Sequence, residues 1–261
     1  MDVKVIVATH KKYQMPKDDI YLPIHVGKEG KNNLGYVGDD TGDNISKKNL
    51  YYCELTGIYW AWKNLNCDYI GLSHYRRYFS ISKKLPKDIE GRIENAIKYK
   101  DVCTILKETD VILPKKRKYY IENLYSHYEH TMYIEPLDET RKIIEEKYPK
   151  YLEEFDMLHK RTSAHMFNMF IMKKEILNDY CTWLFDILFE LEKRISTEQY
   201  DNFHARYLGR ISELLLDVWI NTNELKYKEV KVIDIEKVNW LKKGASFLNA
   251  KFFGKKYGKS F

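Results

Sequence analysis

Asp68-Tyr69-Ile70-Gly71-Leu72-Ser73-His74-Tyr75-Arg76-Arg77-Tyr78-Phe79 runs from a short apolar segment into a cluster of imidazole, guanidinium and phenol groups. Tyr69 to Leu72 reads as a buried strand, and the polar cluster begins where that strand ends. In open α/β sheets, ligands sit at the carboxyl ends of the strands. Adjacent Arg76 and Arg77 suit a diphosphate, because each guanidinium offers paired donors to phosphate oxygens. Regular strand geometry would send the two to opposite faces. A turn at the strand end would let both reach one anion, with His74 nearby. The competing reading is an edge strand with solvated basic residues.

Outward from this stretch, Val3 to Ala8 is a second β-rich run, expected as the first strand of a parallel sheet. It ends at Thr9 and His10, which places both among the candidate ligand residues. Residues 11–45 are polar and turn-rich, and a connection of that length is uncommon unless it is functional. Ser46 is expected to open a helix reaching about Asn66, with Leu50, Ile58, Ala61 and Leu65 on one face. Glu54 interrupts that stripe. A carboxylate there needs a cationic partner, since an unpaired one is costly to bury, and His74, Arg76 and Arg77 are the candidates.

Further along, residues 86–100 read as a helix and Asp110 to Leu113 as a strand stopped by Pro114. Helical segments are expected at about 119–132, 136–147 and 149–159. Ala164 to Met172 is strand-like, Glu175 to Arg194 and residues 205–222 are helical, and Glu229 to Ile233 is a last strand. Strands alternating with helices predict an α/β domain with a mostly parallel or mixed sheet.

The chain has 261 residues, 44% of them hydrophobic and 31% charged, as a globular protein does. Its 22 tyrosines suit sugar and interface surfaces, since each pairs an apolar ring with a polar tip. Biased codon usage would give the same count. Cys53, Cys67, Cys103 and Cys181 show no CxxC spacing, which argues against a disulfide framework or a zinc knuckle. No run approaches the roughly 20 apolar residues that span a bilayer, and the first residues lack a signal peptide's apolar core. A cytoplasmic protein, peripheral to the inner face of the plasma membrane, is the expectation. The net charge of +6 can serve anionic ligands, membranes or nucleic acid. Nucleic acid is the least favoured, because acids beside the candidate site oppose a polyanion groove.

Four other constellations could carry chemistry. Gly38-Asp39-Asp40-Thr41-Gly42-Asp43-Asn44-Ile45-Ser46 concentrates three aspartates before a helix start. Capping and turn formation explain Asn44 and Ser46. A loop folding over a ligand would use Asp39, Asp40, Asp43 and Asn44 on ribose or sugar hydroxyls or on a metal. Arg206, Arg210, Glu213 and Asp217 share one helix face, either as a surface ion-pair ladder or with Glu213 at a cleft as general base. His165 and Asn168, near the start of the strand-like Ala164–Met172 run, could face a sugar. Lysines and aromatics interleave from Lys242 to Phe261, as in a membrane-surface segment or a loosely ordered tail.

Thr41-Gly42-Asp43-Asn44-Ile45-Ser46, Tyr52-Cys53-Glu54-Leu55-Thr56, Tyr59-Trp60-Ala61-Trp62-Lys63-Asn64 and His74-Tyr75-Arg76-Arg77-Tyr78, in this order, resemble a bacterial family of capsular and exopolysaccharide synthesis. It is an initially uncharacterised domain family now regarded as glycosyltransferases. His165 to Met172 and Gly209 to Leu214 resemble its later blocks, so the likeness spans roughly residues 3–220. The resemblance implies a GT-A-like, Rossmann-type mixed sheet flanked by helices, expected as one domain over 1–241, and the interleaved lysines and aromatics mark 242–261 as a basic aromatic tail. It implies a UDP-sugar donor, galactofuranose among the sugars, transfer by inversion, and a glycan or lipid-linked acceptor. The GT-A Asp-x-Asp motif is absent after the second strand, where His74-Tyr75-Arg76-Arg77 stands, so metal dependence is open. On these grounds Glu213, then Asp43, are the candidate bases. Thr9, His10, Asp39, Asp40, Asp43, Asn44, His74, Arg76 and Arg77 are candidates for the donor, and His165 and Asn168 for the acceptor. The alternative is a non-catalytic nucleotide-sugar or glycan-binding component of an assembly complex.

Overall fold

A computed structural model describes residues 1–236. Along the chain, β1 (Val3–Thr9), β2 (Tyr21–His25) and β3 (Val37–Gly38) precede a short 3-10 turn at Ser46–Lys48, α1 (Asn49–Tyr52) and α2 (Leu55–Asn64). Next come β4 (Tyr69–His74), β5 (Arg77–Ser80), α3 (Ile89–Glu94), α4 (Tyr99–Ile105), β6 (Val111–Pro114) and β7 (Arg117–Lys118). Three helices follow, α5 (Leu124–Thr131), α6 (Glu135–Lys147) and α7 (Leu152–Asp156). The described part closes with β8 (Ser163–Ala164), β9 (Phe170–Lys173), α8 (Lys174–Arg194), α9 (Tyr207–Thr222) and β10 (Tyr227–Asp234).

The sheet is mixed. β2 and β4 lie parallel on either side of β1, and β3 extends the β2 edge. Beyond β4, antiparallel β9 pairs with Tyr69–Leu72 and then with β6, and β6 pairs in parallel with β10. β5 turns back from β4 and pairs antiparallel with the upper half of β10, Lys231 to Asp234. Side chains alternate between the two faces as strand geometry demands. Val3, Val5 and Val7 pack on one side with Ile93 of α3 and Val102 of α4, whereas Ile6 and Ala8 pack on the other with α2, α8 and α9. The expected α/β mixed sheet flanked by helices is the architecture found.

Two expected elements break where the site lies. The helix from Ser46 to about Asn66 is interrupted at Cys53, whose φ is +52°. The Ala164–Met172 strand divides into β8 and β9, because Phe167 and Asn168 have φ of +77° and +54°. After β4 the chain reverses through the two-residue turn Tyr75-Arg76 into β5, a strand not expected from the sequence. β2 and β3 were also unexpected inside the turn-rich region. The helix expected at 86–100 is two helices, α3 and α4. The tail from Lys242, and with it the boundary expected at 241, lies outside the described residues.

Candidate active site

The carboxyl ends of β1, β2 and β4 carry Thr9 and His10, His25 and His74. The Thr9 hydroxyl donates to the Lys11 carbonyl at 2.7 Å and accepts from the Lys11 amide, which shapes the turn after β1. His10 is exposed and sets its ring edge against Tyr75 at 5.3 Å. Partial desolvation of the ring beside Tyr75 lowers its pKa, and Lys11 and Arg76 add to the effect. His25 is 2% exposed, and its Nδ1 has no hydrogen-bond partner among the described residues.

A tighter group forms where β4, the break before α2, the Phe167-Asn168 turn and α9 meet. His74 Nε2 donates to the Phe167 carbonyl at 2.7 Å, which fixes the tautomer. Burial holds the His74 pKa below its ordinary value, against the charge of nearby Glu54. The Arg77 guanidinium lies over the Phe167 ring at 4.4 Å, and its Nε donates to Asp234 at 3.1 Å. Asn168 Nδ2 donates to Glu54 Oε1 at 2.8 Å and to the Gly209 carbonyl at 3.1 Å, while Asn168 Oδ1 accepts from Ser212 at 2.7 Å. Every polar atom of this 2% exposed side chain is therefore engaged. Of the four non-glycine residues with positive φ among those described, Cys53, Phe167 and Asn168 are here. Backbone strain concentrated in this way is a mark of functional sites.

α9 supplies the far wall. Arg206 Nε donates to Cys53 Sγ at 3.3 Å, and Arg210 donates to Glu213 at 3.3 Å. Burial pushes the Cys53 thiol up to about 11, and the Glu54 charge pushes the same way. Gly209 lets α9 approach the break: a Cβ on it would stand 3.2 Å from Cys53 Sγ. Glu213 is 6% exposed. Burial raises its pKa, Arg210 opposes this, Glu54 adds to it, and Arg117 and Arg77 oppose it from further away. The face carrying Arg206, Arg210, Glu213 and Asp217 is therefore not a surface ladder. Its carboxylates are inside, because Arg210 and His165 offer them partners there.

The remaining expected residues are placed differently. Arg76 leans over the Tyr75 ring at 5.2 Å and pairs with Glu236 at 3.4 Å, on a path of its own from Arg77. Asp39 is fully buried and accepts from the amides of Gly27 and Lys28 and from the Ser46 hydroxyl, at 2.7, 3.0 and 2.5 Å. Asp40 lies 3.4 Å from Lys28 Nζ. Asp43 accepts from the Tyr59 hydroxyl at 3.1 Å, and its carbonyl accepts from Asn64 at the far end of α2. Ten helical residues from Glu54 amount to about 15 Å, so Asp43 is apart from the Glu54 group. Asn44 Oδ1 accepts from the Ser46 amide two residues on, which makes a turn rather than a helix cap. His165 is 1% exposed and sits between two carboxylates: Nδ1 meets Asp217 and Nε2 meets Glu229 at 3.0 Å.

His25, Arg117 and Tyr119 join these surroundings without any local sequence signal, and Ser212 joins them from the Gly209–Leu214 block. Only the fold brings them near, Arg117 and Tyr119 through β7 and the turn beyond it. Among the described residues, no group of three or more His, Cys, Asp or Glu side chains is arranged to hold a metal ion, and no helix is long and apolar enough to cross a membrane.

A search of curated proteins finds no match. Among solved structures, the WbbM bifunctional glycosyltransferase in its apo form aligns with 91% of this chain at a TM-score of 0.83 and 33% identity. The alignment covers 46% of that chain, so the present one spans about half the length of its neighbour. The profile of a family described as a domain of unknown function, DUF4422, matches residues 4–224. The chain therefore belongs to the DUF4422 family.

Proposed function

We propose that this protein is a glycosyltransferase that moves a sugar from a UDP-sugar to a glycan or lipid-linked acceptor, with inversion, in bacterial capsular or exopolysaccharide synthesis. Galactofuranose is the proposed sugar and GT-A the proposed fold type, both from the family resemblance. The observation that carries the reading is the grouping of Arg77 over Phe167, Arg206 on Cys53 and Arg210 on Glu213 around the Glu54–Asn168 pair, beside the end of β4, where His74 bonds Phe167. The likeness to a glycosyltransferase over 91% of the chain supports it.

Inverting transfer needs a base for the acceptor hydroxyl and stabilisation of the departing diphosphate. Glu213 is the base of choice: its raised pKa brings proton affinity nearer to neutral pH, where general bases work best. It takes the proton as the acceptor oxygen attacks the anomeric carbon. The bond to the UDP oxygen breaks, and UDP leaves with that electron pair. Arg77, with Arg206 and Arg210 across the site, meets the developing negative charge. Arg76 and His10 flank the entry from β1, and Thr9 and His25 border the nucleoside side. His74 and Asn168 orient Arg77 and Glu54 through the Phe167-Asn168 turn. Asp39 and Asp40 hold the loop after β2, and Asp43 is the lesser candidate for the base because it is distant.

The test is incubation of the purified chain with a panel of UDP-sugars, with and without EDTA, followed by UDP release. Release from at least one donor, lost in Glu213→Gln, supports transfer. Tight binding of UDP-sugars with no release in the presence of glycan acceptors supports a binding component instead. Loss of release on EDTA treatment would move the diphosphate role to a metal.

A further inference from the structure

The segment Lys115-Lys116-Arg117-Lys118-Tyr119-Tyr120-Ile121 places four successive cations before two exposed apolar residues. Tyr120 is 86% exposed and Ile121 is 54% exposed. The exposure is built in. The Lys115 amide donates to the Val230 carbonyl, Arg117 and Lys118 pair with β8, and the Tyr119 amide donates to Thr162 at 2.7 Å. The Glu122 amide then closes a turn on the Tyr119 carbonyl at 2.9 Å. Tyr120 and Ile121 are the two central residues of that turn and project from its tip. Glu122 anchors the turn from below, its carboxylate bound by His127 and His130 at 3.1 and 2.8 Å. The Leu124 amide, bonded to Arg161, secures the exit.

A soluble surface has no need to hold a tyrosine and an isoleucine out on a rigid turn beside four cations. An anionic lipid surface fits each part. Tyrosine settles at the water–lipid boundary with its ring in the apolar zone and its hydroxyl in the wet one. Isoleucine enters the acyl boundary, and lysines reach anionic headgroups on flexible stems. We propose that the turn at Tyr120-Ile121 and the basic run before it form the surface with which this protein docks on an anionic bilayer. Arg117 and Tyr119 lie within electrostatic reach of Glu213. Docking would therefore bring the proposed base close to the lipid surface. The surface itself does not depend on the proposed chemistry and is tested without it.

The experiment uses the full chain and sedimentation with vesicles of phosphatidylcholine alone or with about one third phosphatidylglycerol. Wild type is expected to bind the anionic vesicles and to release them as salt rises. Replacing Lys115, Lys116 and Lys118 by Ser should weaken binding by about 100-fold, on the scale of tenfold or less per charge near an anionic leaflet. Tyr120→Trp supplies a readout at an open position that the fold does not use. Its emission, taken as the difference from wild type, should shift to the blue on anionic vesicles and be quenched by lipids brominated along the chain. An unchanged emission while the protein sediments would assign binding to another part of the chain and overturn the proposal. Equal binding to neutral vesicles, or no binding at all, would overturn it as well. So would a shift produced by a single-stranded oligonucleotide but not by vesicles.

Discussion

Asn168 allows the site's architecture to be tested by stability alone. Its amide group ties Glu54, Gly209 and Ser212 together from a backbone at φ +54°. A hydrogen bond to a carboxylate contributes about 2 kcal/mol and each neutral one about 1 kcal/mol. Asn168→Gly should therefore cost about 4 kcal/mol while suiting the left-handed backbone. Asn168→Ala loses the same bonds and adds about 1 kcal/mol, because an alanine methyl group is strained at that φ. At about 2.1 cal/mol/K per residue over 261 residues, these losses lower the melting temperature by about 7 and 9 °C. Asn168→Asp sets a second carboxylate against Glu54, which raises the pKa of the pair above the ordinary carboxylate range. Its penalty is complete above that raised pKa and is relieved as pH falls through it, so this variant should recover towards the Gly variant near pH 5. Thermal melts of the three variants at pH 8 and pH 5 decide the matter. Glycine and alanine variants melting with wild type, or an Asp variant indifferent to pH, would show that Asn168 does not hold Glu54 in place.

Other expectations follow from the same contacts. Glu213→Gln should abolish UDP release yet melt at or above the wild-type temperature at pH 8. The raised pKa of Glu213 means that its ionisation disfavours the folded state as pH rises above the ordinary carboxylate range; a clear drop in melting temperature would contradict this. Arg77→Ala should weaken UDP binding more than Arg76→Ala, because Arg77 stacks on Phe167 inside the site while Arg76 pairs with Glu236; calorimetry giving the reverse order would exchange their roles. His74 has a pKa lowered from 6.5 by burial, so its contribution to stability is present above that value and lost as pH falls through the lowered one. His74→Gln should flatten the acid limb of the stability curve, and a curve parallel to wild type would exclude His74 as the source. Gly209→Ala, whose Cβ would stand 3.2 Å from Cys53 Sγ and 3.3 Å from Cys53 Cβ, should separate α9 from the break at Cys53 and lower UDP release; release at the wild-type rate would show that the close approach is not needed.

Much of this molecule is legible in local sequence. The β-rich run Val3 to Ala8 and the apolar run to Leu72 mark the central parallel strands, and the apolar residues of α8 and α9 mark helices of the layer on one side of the sheet. β2 escapes because Pro23 and the surrounding turn residues mask a strand whose hydrogen bonds come from β1 alone for most of its length. Breaks at Cys53 and at Phe167-Asn168 escape for a different reason. Cys53 and Phe167 carry no marked bias against a helix or a strand, and Asn168, which strands disfavour and the left-handed region tolerates, is a single weak signal; packing against α9 and the bonds of Asn168 and His74 hold the left-handed conformations in place. The Arg76-Arg77 pair shows the limit of adjacency, since a two-residue turn sends one guanidinium to Glu236 and the other over Phe167. Glu54 was legible as a carboxylate in an apolar stripe. Its amide partner, 114 residues away, was not.

The most direct measurement is calorimetric titration of the full chain with UDP, run in parallel on Arg77→Ala. Saturable binding to wild type, weakened roughly 10- to 100-fold by loss of one charged hydrogen-bonding partner, is the result expected of a diphosphate site at the end of β4. No heat of binding to wild type, or equal affinity in the two proteins, would contradict it.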